Sequence, residues 1–282
     1  MTAARHTRAA FWEQAAAIRD EWEATGTACG PADQATAEQA ITEVYARLGR
    51  ARPRFVWVRS PREAQPLVSH LPTLQDLYRW VKAPPARTPD PMAASAHASA
   101  RGPSRSAAEP VGLVSRTTPP VASDLATTLS RLRGRMDQRI TTPWFDPPPP
   151  KRPKGDQWPD LPPEQGLAYG IPFVDVMRRH VREALFALLA HGFYLPAKRQ
   201  LGEPSPVCWY GQQEAHWIAY YDAWRRLGLA KYEPDVDAEL DCWQAIAQSC
   251  GWFWLDEHLC VVSHRPDRPR TFADGWAVPA LS

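Results

Sequence analysis

Seven tryptophans fall between residues 207 and 278 of a chain that holds 13. An indole is a large apolar body with one N–H that needs an acceptor once it leaves water. A stretch this dense in indoles has to fold around them. Residues 207–228 read VCWYGQQEAHWIAYYDAWRRLG. From Gln212 onward, Gln213, Trp217, Tyr220, Trp224 and Leu227 recur at helical spacing, with Tyr221 at the margin. A second helix is predicted over roughly 237–250, with Leu240, Trp243, Ile246, Ala247 and Cys250 on one face and Gly251 as its C-cap. Trp252-Phe253-Trp254-Leu255, a polar Asp256-Glu257-His258 and Leu259-Cys260-Val261-Val262 then spell a hairpin. Residues 272–278, with Asp274-Gly275 as a turn, add a short strand or hairpin arm. The tryptophans either form a core of few, large side chains or in part line a groove that stacks a flat small molecule, a sugar or a base. Periodicity favours the core. For the groove, the candidate ligand-binding residues are Trp209, Gln212, Gln213, Trp217 and Trp254.

Upstream, residues 6–24 carry Phe11, Trp12, Ala15, Ile18 and Trp22 at helical spacing, and a second helix is predicted over 32–48, stopped at Gly49. Phe55-Val56-Trp57-Val58 reads as a short strand, and residues 62–82 as helix in pieces around Pro66 and Pro72. A helix with Asp124 as N-cap carries Leu125, Leu129, Leu132 and Met136 on one face over 124–139. Residues 172–191 form a strongly amphipathic helix, with Gly192 as its stop. Two proline-rich stretches separate these segments. Residues 84–123 hold eight prolines among Ala, Ser, Thr and Arg, and residues 143–163 hold nine in twenty-one. The first cannot bury enough apolar surface to offset its ordering entropy. The second suits an extended polyproline spacer. The expected organisation is a helical segment with one short strand (1–83), a Pro/Ala/Ser-rich flexible linker (84–123), a helix plus Pro-rich spacer (124–163) and a Trp-rich α+β unit (164–282). The fold class is α+β, mainly helical, with a short Trp-rich C-terminal antiparallel hairpin or small sheet.

A net charge of +2 argues against a dedicated nucleic-acid binder. Arg178, Arg179 and Arg182, with Arg131, Arg133, Arg135 and Arg139, read as solvated faces of two helices; the sharper reading is a basic surface for phosphate or acidic partners. Five cysteines without paired spacing are no disulfide framework. The N-terminus shows no secretory pattern and no apolar run is long enough to span a bilayer, so the expected home is a reducing cytoplasm.

No high-specificity catalytic motif is present, neither a phosphate loop nor GxGxxG, HExxH, GxSxG or CxxC. Three constellations remain. On one helix, Gln212 and His216 share a face, and Glu214 beside an indole is a candidate general acid. Asp222 is expected to pair with Arg225 or Arg226 at the surface. His258, Cys260 and His264 form H-x-C-x3-H, whose first two members share a strand face as two zinc ligands would, although no fourth ligand is evident and Cys260 also suits a core. Cys208 with His216 is the third, as nucleophile and base. Glu214, His216 and His258 are thus the catalytic candidates, and no cofactor is implied.

The blocks RFVWVRSP (54–61), VCWYGQQEAHWIAYYD (207–222), SCGWFWLDEHLCVVSHRP (249–266) and FADGWAV (272–278) resemble an uncharacterised actinobacterial family. Its members share a W-x-G-Q-x-(D/E)-A-x-W-x-A-x-Y-D helix and a GW-x-W hairpin ending in V-x-x-RP. The resemblance implies a bacterial cytoplasmic protein with one integrated architecture, and brings no activity, cofactor or catalytic residue. Two classes of function stand: a non-catalytic binding or interaction protein, whose partner is a protein or a flat small molecule, and a hydrolase or group transferase with Gln212, Glu214, His216 and His258 in a Trp-walled pocket.

Overall fold

The computed structural model describes residues 2–82, 120–142, 158–202, 205–269 and 277–278. Helix α1 (Thr2–Gly26) buries Trp12, Ala15, Ile18 and Trp22 along one stripe. Helix α2 (Gln34–Arg47) starts two residues after the predicted 32, where the Asp33 carboxylate accepts the Thr36 N–H at 3.1 Å as an N-cap. Strand β1 (Arg54–Val58) leads into α3 (Pro61–Val68), which runs through Pro66 instead of dividing there, and then α4 (Leu74–Lys82).

Helix α5 (Val121–Asp137) begins three residues before the predicted Asp124 cap. Val121 and Ala122 are buried beside Leu125, and this burial extends the helix back to Pro120. Asp124 instead accepts from Arg50 Nη2 at 2.8 Å. The end of the expected linker is therefore helix; residues 84–119 and most of the proline-rich spacer lie outside the described residues.

After α6 (Pro163–Tyr169), one helical rod, α7, spans residues 173–201 and passes straight through the expected stop at Gly192. Phe193 and Tyr194, just past the glycine, are buried, and that burial outweighs the ~1 kcal/mol that glycine costs a helix interior. Two stretches of α7, Arg178–Glu183 and Ala187–Tyr194, are wound as π-helix. Gly202, at φ 85°, ends the rod.

A 3-10 turn, Gly211–Glu214, feeds α8 (Ala215–Arg226), followed by α9 (Pro234–Ser249). The predicted glycine cap on α9 is replaced by Cys250 in extended conformation. Strands β2 (Phe253–Leu255) and β3 (Leu259–Ser263) form the expected antiparallel hairpin. β1 adds to β3 in parallel, from Arg54 opposite Leu259 to Val58 opposite Ser263, so the sheet order is β1-β3-β2. The last pair, β4 (Arg268–Pro269) and β5 (Ala277–Val278), is parallel, and the predicted turn at Asp274-Gly275 lies outside the described residues.

The protein is thus α+β and mainly helical. α1 packs along α8 and α2 along α9, and a single apolar core runs from Trp12 in α1 to Val262 in β3. A second cluster under α3 joins Val58 and Val68 to Phe193, Trp252 and Trp254.

The tightest approach is between Gly211 and the end of α9. Gly211 has φ 51°, and a β-carbon there would stand 1.9 Å from the Gly251 carbonyl oxygen. Gly228 also has a positive φ, 69°, but open space around it. In urea denaturation, Gly211→Ala is expected to lose at least about 3 kcal/mol, whereas Gly228→Ala loses about 1 kcal/mol from left-handed strain alone. Equal losses would show that the close approach is not a constraint.

Candidate functional site

With Gly211 seated on the Gly251 carbonyl, the next three residues enter the core as polar side chains. Gln212 and Gln213 are fully buried and Glu214 is 8% exposed. Gln212 Nε2 donates to the carbonyls of Gly26 at 3.0 Å and Ala28 at 2.9 Å, closing off the C-terminal end of α1. Its backbone N–H donates to Cys250 O at 3.2 Å. Gln213 Oε1 accepts the Trp252 indole N–H at 2.8 Å. Glu214 accepts the Trp217 indole N–H at 2.7 Å on one oxygen and the Tyr210 N–H at 3.4 Å on the other. Each glutamine keeps one buried amide atom, Gln212 Oε1 and Gln213 Nε2, with no partner among the described residues.

His216, one helical turn from Gln212, bonds through Nδ1 to Gln213 O at 3.1 Å, and the exposed Phe186 ring meets its imidazole edge-on at 5.1 Å. Arg133 of α5 lies over the Trp217 ring at 4.6 Å, with Nη2 4.0 Å from the Glu214 carboxylate, too long for a hydrogen bond. Arg182, in the first π-wound stretch of α7, stands 6.0 Å over the Tyr220 ring. Glu214, which helix spacing puts on another face from His216, lies near enough for its charge to act on the imidazole, and two arginines from distant segments join them.

The other candidates are elsewhere. Trp209 and Trp254 are buried: Trp209 stacks on Phe253 at 6.1 Å, and Trp254 packs against Trp252 at 6.2 Å. His258 is exposed in the turn of the hairpin, at the opposite end from Gly251, and no described hydrogen bond joins its side chain to Gln212, Glu214 or His216. Cys260 is fully buried on the central strand, where burial raises its thiol pKa well above the ordinary value. His264 leans on the Trp57 ring at 5.3 Å, with Nδ1 facing the Ala32 N–H. Among the described residues no group of three His, Cys, Asp or Glu side chains is arranged to hold a metal. All five cysteines are free thiols. Burial pushes the Cys208 thiol up to about 12, and its side-chain partner is Tyr210, not His216.

Asp222 pairs with Arg225 at 3.1 Å as expected, but not at the surface. It is 4% exposed and also accepts the Trp22 indole N–H at 3.0 Å. Arg225 continues to Asp237 and Asp241 on α9. A polar cleft of about 310 Å³ opens over this network, lined by Glu21, Trp22, Asp222, Arg226, Gln244 and Gln248 among others. None of the sequence-derived ligand candidates lines it.

Comparison of the chain with protein-family models, with curated proteins and with solved structures returns no match.

Two outcomes follow from this placement. Gln213→Ala removes the side-chain acceptor of the buried Trp252 N–H and is expected to cost about 1–3 kcal/mol in chemical denaturation, against within about 0.5 kcal/mol for His258→Ala at the exposed turn. A neutral Gln213→Ala would mean that the bond is dispensable. The second concerns pH. Burial holds His216 below the ordinary imidazole value of 6.5; Glu214 opposes this shift, and Arg133 and Arg182 add to it. His180 is lowered in the same sense, by burial first. The unfolded chain then takes up protons that the native chain refuses, so stability is lost as pH falls below about 6.5. His216→Gln is expected to flatten the stability profile between pH 7 and 5. An unchanged slope would show that His216 titrates normally.

Proposed function

We propose that this chain is a non-catalytic interaction protein of a bacterial cytoplasm, in which the Trp-rich unit is a rigid frame that presents helix α4 to a partner protein. The observation that carries this reading is the apolar face of α4. Leu74 and Tyr78, four residues apart on one side of the helix, are 54% and 59% exposed, and Leu67 at the end of α3 is 40% exposed. Leu77 tethers the same face to the core, while Gln75, Asp76 and Arg79 occupy the remainder. Exposed apolar residues at i and i+4, Leu74 and Tyr78, are part of the pattern by which an amphipathic helix enters an apolar groove on another protein.

Further support comes from the polar residues that an enzyme reading would need. The Gln212 and Gln213 amides and the Glu214 carboxylate are bonded to the chain's own backbone and indoles. Free thiols suit a reducing compartment, and no helix among the described residues is long and apolar enough to cross a membrane. The family resemblance is carried with this reading.

The test places a photo-crosslinking amino acid at Tyr78, or at the exposed Lys231 as control, in the chain expressed in its own host. A discrete adduct is expected at position 78, absent at 231, and removed by Leu74→Glu. Leu74→Glu should leave the melting temperature unchanged, because the leucine is mostly in solvent. No adduct at 78, or equal adducts at both positions, would overturn the reading.

A further inference from the structure

The described arginines of this protein mostly end on acceptors. Arg50 bonds Asp124 and Glu257, Arg135 bonds Asp235, and Arg139 meets Glu233. Arg179 donates to the carbonyls of Pro159 and Trp158. The basic surface that α5 and α7 spell in sequence is therefore largely compensated. Arg133 and Arg182 are among the few that do not, with Arg265 and the exposed Arg131, and they are the two that stand over neighbouring residues of one helix. Both are half-buried, and neither guanidinium has a hydrogen bond to a described residue. Arg133 Nε is shut off from solvent and unpaired.

Their placement on α8 sets them side by side. Trp217 and Tyr220 are three residues apart on the helix, and both rings meet that of Tyr221, at 6.4 and 5.2 Å. Arg133 covers the first ring at 4.6 Å and Arg182 the second at 6.0 Å. The two lie close enough for the charge of Arg182 to disfavour that of Arg133, and both act on His216. Glu214 offsets part of this charge from 4.0 Å, and the Asp137 carboxylate is taken by the Tyr221 hydroxyl at 3.0 Å. Two guanidinium groups over aromatic rings, both near enough for their charge to act on His216, have no hydrogen-bond acceptor among the described residues, and the Arg133 Nε is also shut off from water. Leaving such groups unpaired is costly, and an oxyanion satisfies them in the bidentate geometry that guanidinium favours.

We propose that Arg133 and Arg182, standing on Trp217 and Tyr220 beside His216, form a binding site for a small oxyanion, a phosphate or carboxylate group borne by a ligand. The site is separate from the apolar face of α4 and does not depend on a partner protein there. Arg133 sits deeper, where burial lowers its pKa, and a bound anion relieves that cost. Arg182 is the outer fork and supplies the second pair of donors.

The test uses the full chain, titrated with inorganic phosphate, pyrophosphate or succinate against sodium chloride at matched ionic strength, read by calorimetry and by thermal shift. The variants are Arg182→Gln, Arg133→Gln and, as a control on the exposed side of α5, Arg131→Gln. A saturable heat and a rise in melting temperature are expected with at least one oxyanion in the native chain and in Arg131→Gln. Arg182→Gln should bind it about tenfold more weakly, the loss of one charged hydrogen-bonding group. Arg182 is the deciding position, because Arg133→Gln also removes stacking on Trp217. Which probes bind separates the phosphate source from the carboxylate source. No saturable binding with any probe, or binding that Arg182→Gln leaves intact, would overturn the proposal.

Discussion

An indole N–H taken out of water needs an acceptor, and this chain meets that demand with acidic and amide side chains, two of them from more than 150 residues away. Trp12 donates to Glu164, Trp22 to Asp222, Trp57 to Glu38, Trp158 to Asp175, Trp217 to Glu214 and Trp252 to Gln213. Three of these acceptors, Asp222, Gln213 and Glu214, are themselves buried. Each bond answers two problems together, the orphaned indole and the buried polar group, and either left alone costs more than the pair contributes. Trp224 and Trp243 mark the limit of the device: their buried N–H groups have no acceptor among the described residues.

The segment from Gly211 to Glu214 is where these bonds converge. Its glycine touches the end of α9, its first glutamine closes α1, its second holds the hairpin, and its glutamate holds α8 to itself. Segments nearly 200 residues apart thereby share one core, and β1 of the N-terminal part becomes the third strand beside β3. The residues that look most like reactive groups in the sequence hold the frame. What the frame leaves open are places at its margin, the α4 face and the guanidinium pair over α8.

Local features of this arrangement were legible in the sequence. The hairpin could be read because its strands and turn are contiguous, and the stripes of α1, α2, α5, α8 and α9 because burial follows helical spacing. Features set by distant partners were not. Nothing in RFVWV says that it pairs in parallel with LCVVS, since short strands carry no register information for a partner so far away. Asp124 has the chemistry of an N-cap, yet Arg50 claims it. Gly192 has the chemistry of a stop, yet burial of Phe193 and Tyr194 carries the helix past it. In the candidate site, helix spacing put Glu214 on a different face from Gln212 and His216, and the 3-10 turn over 211–214, which breaks that spacing, was not readable. Nor was the separation of His258, because strand alternation does not say where a turn points. Arg133 and Arg182 were visible only as members of a basic stretch, and no spacing rule links α5 to α7 across α8.

The exchange of the indole hydrogens with solvent, followed by NMR on protein labelled at tryptophan, tests the keystone role of these bonds directly. If the bonds from Trp22, Trp217 and Trp252 hold the frame together, their N–H groups exchange only when the whole molecule unfolds, with protection equal to the global unfolding free energy. Rapid exchange at Trp217 or Trp252 while the backbone of α8 and α9 stays protected would contradict that role, and would mark residues 211–214 as a locally opening site.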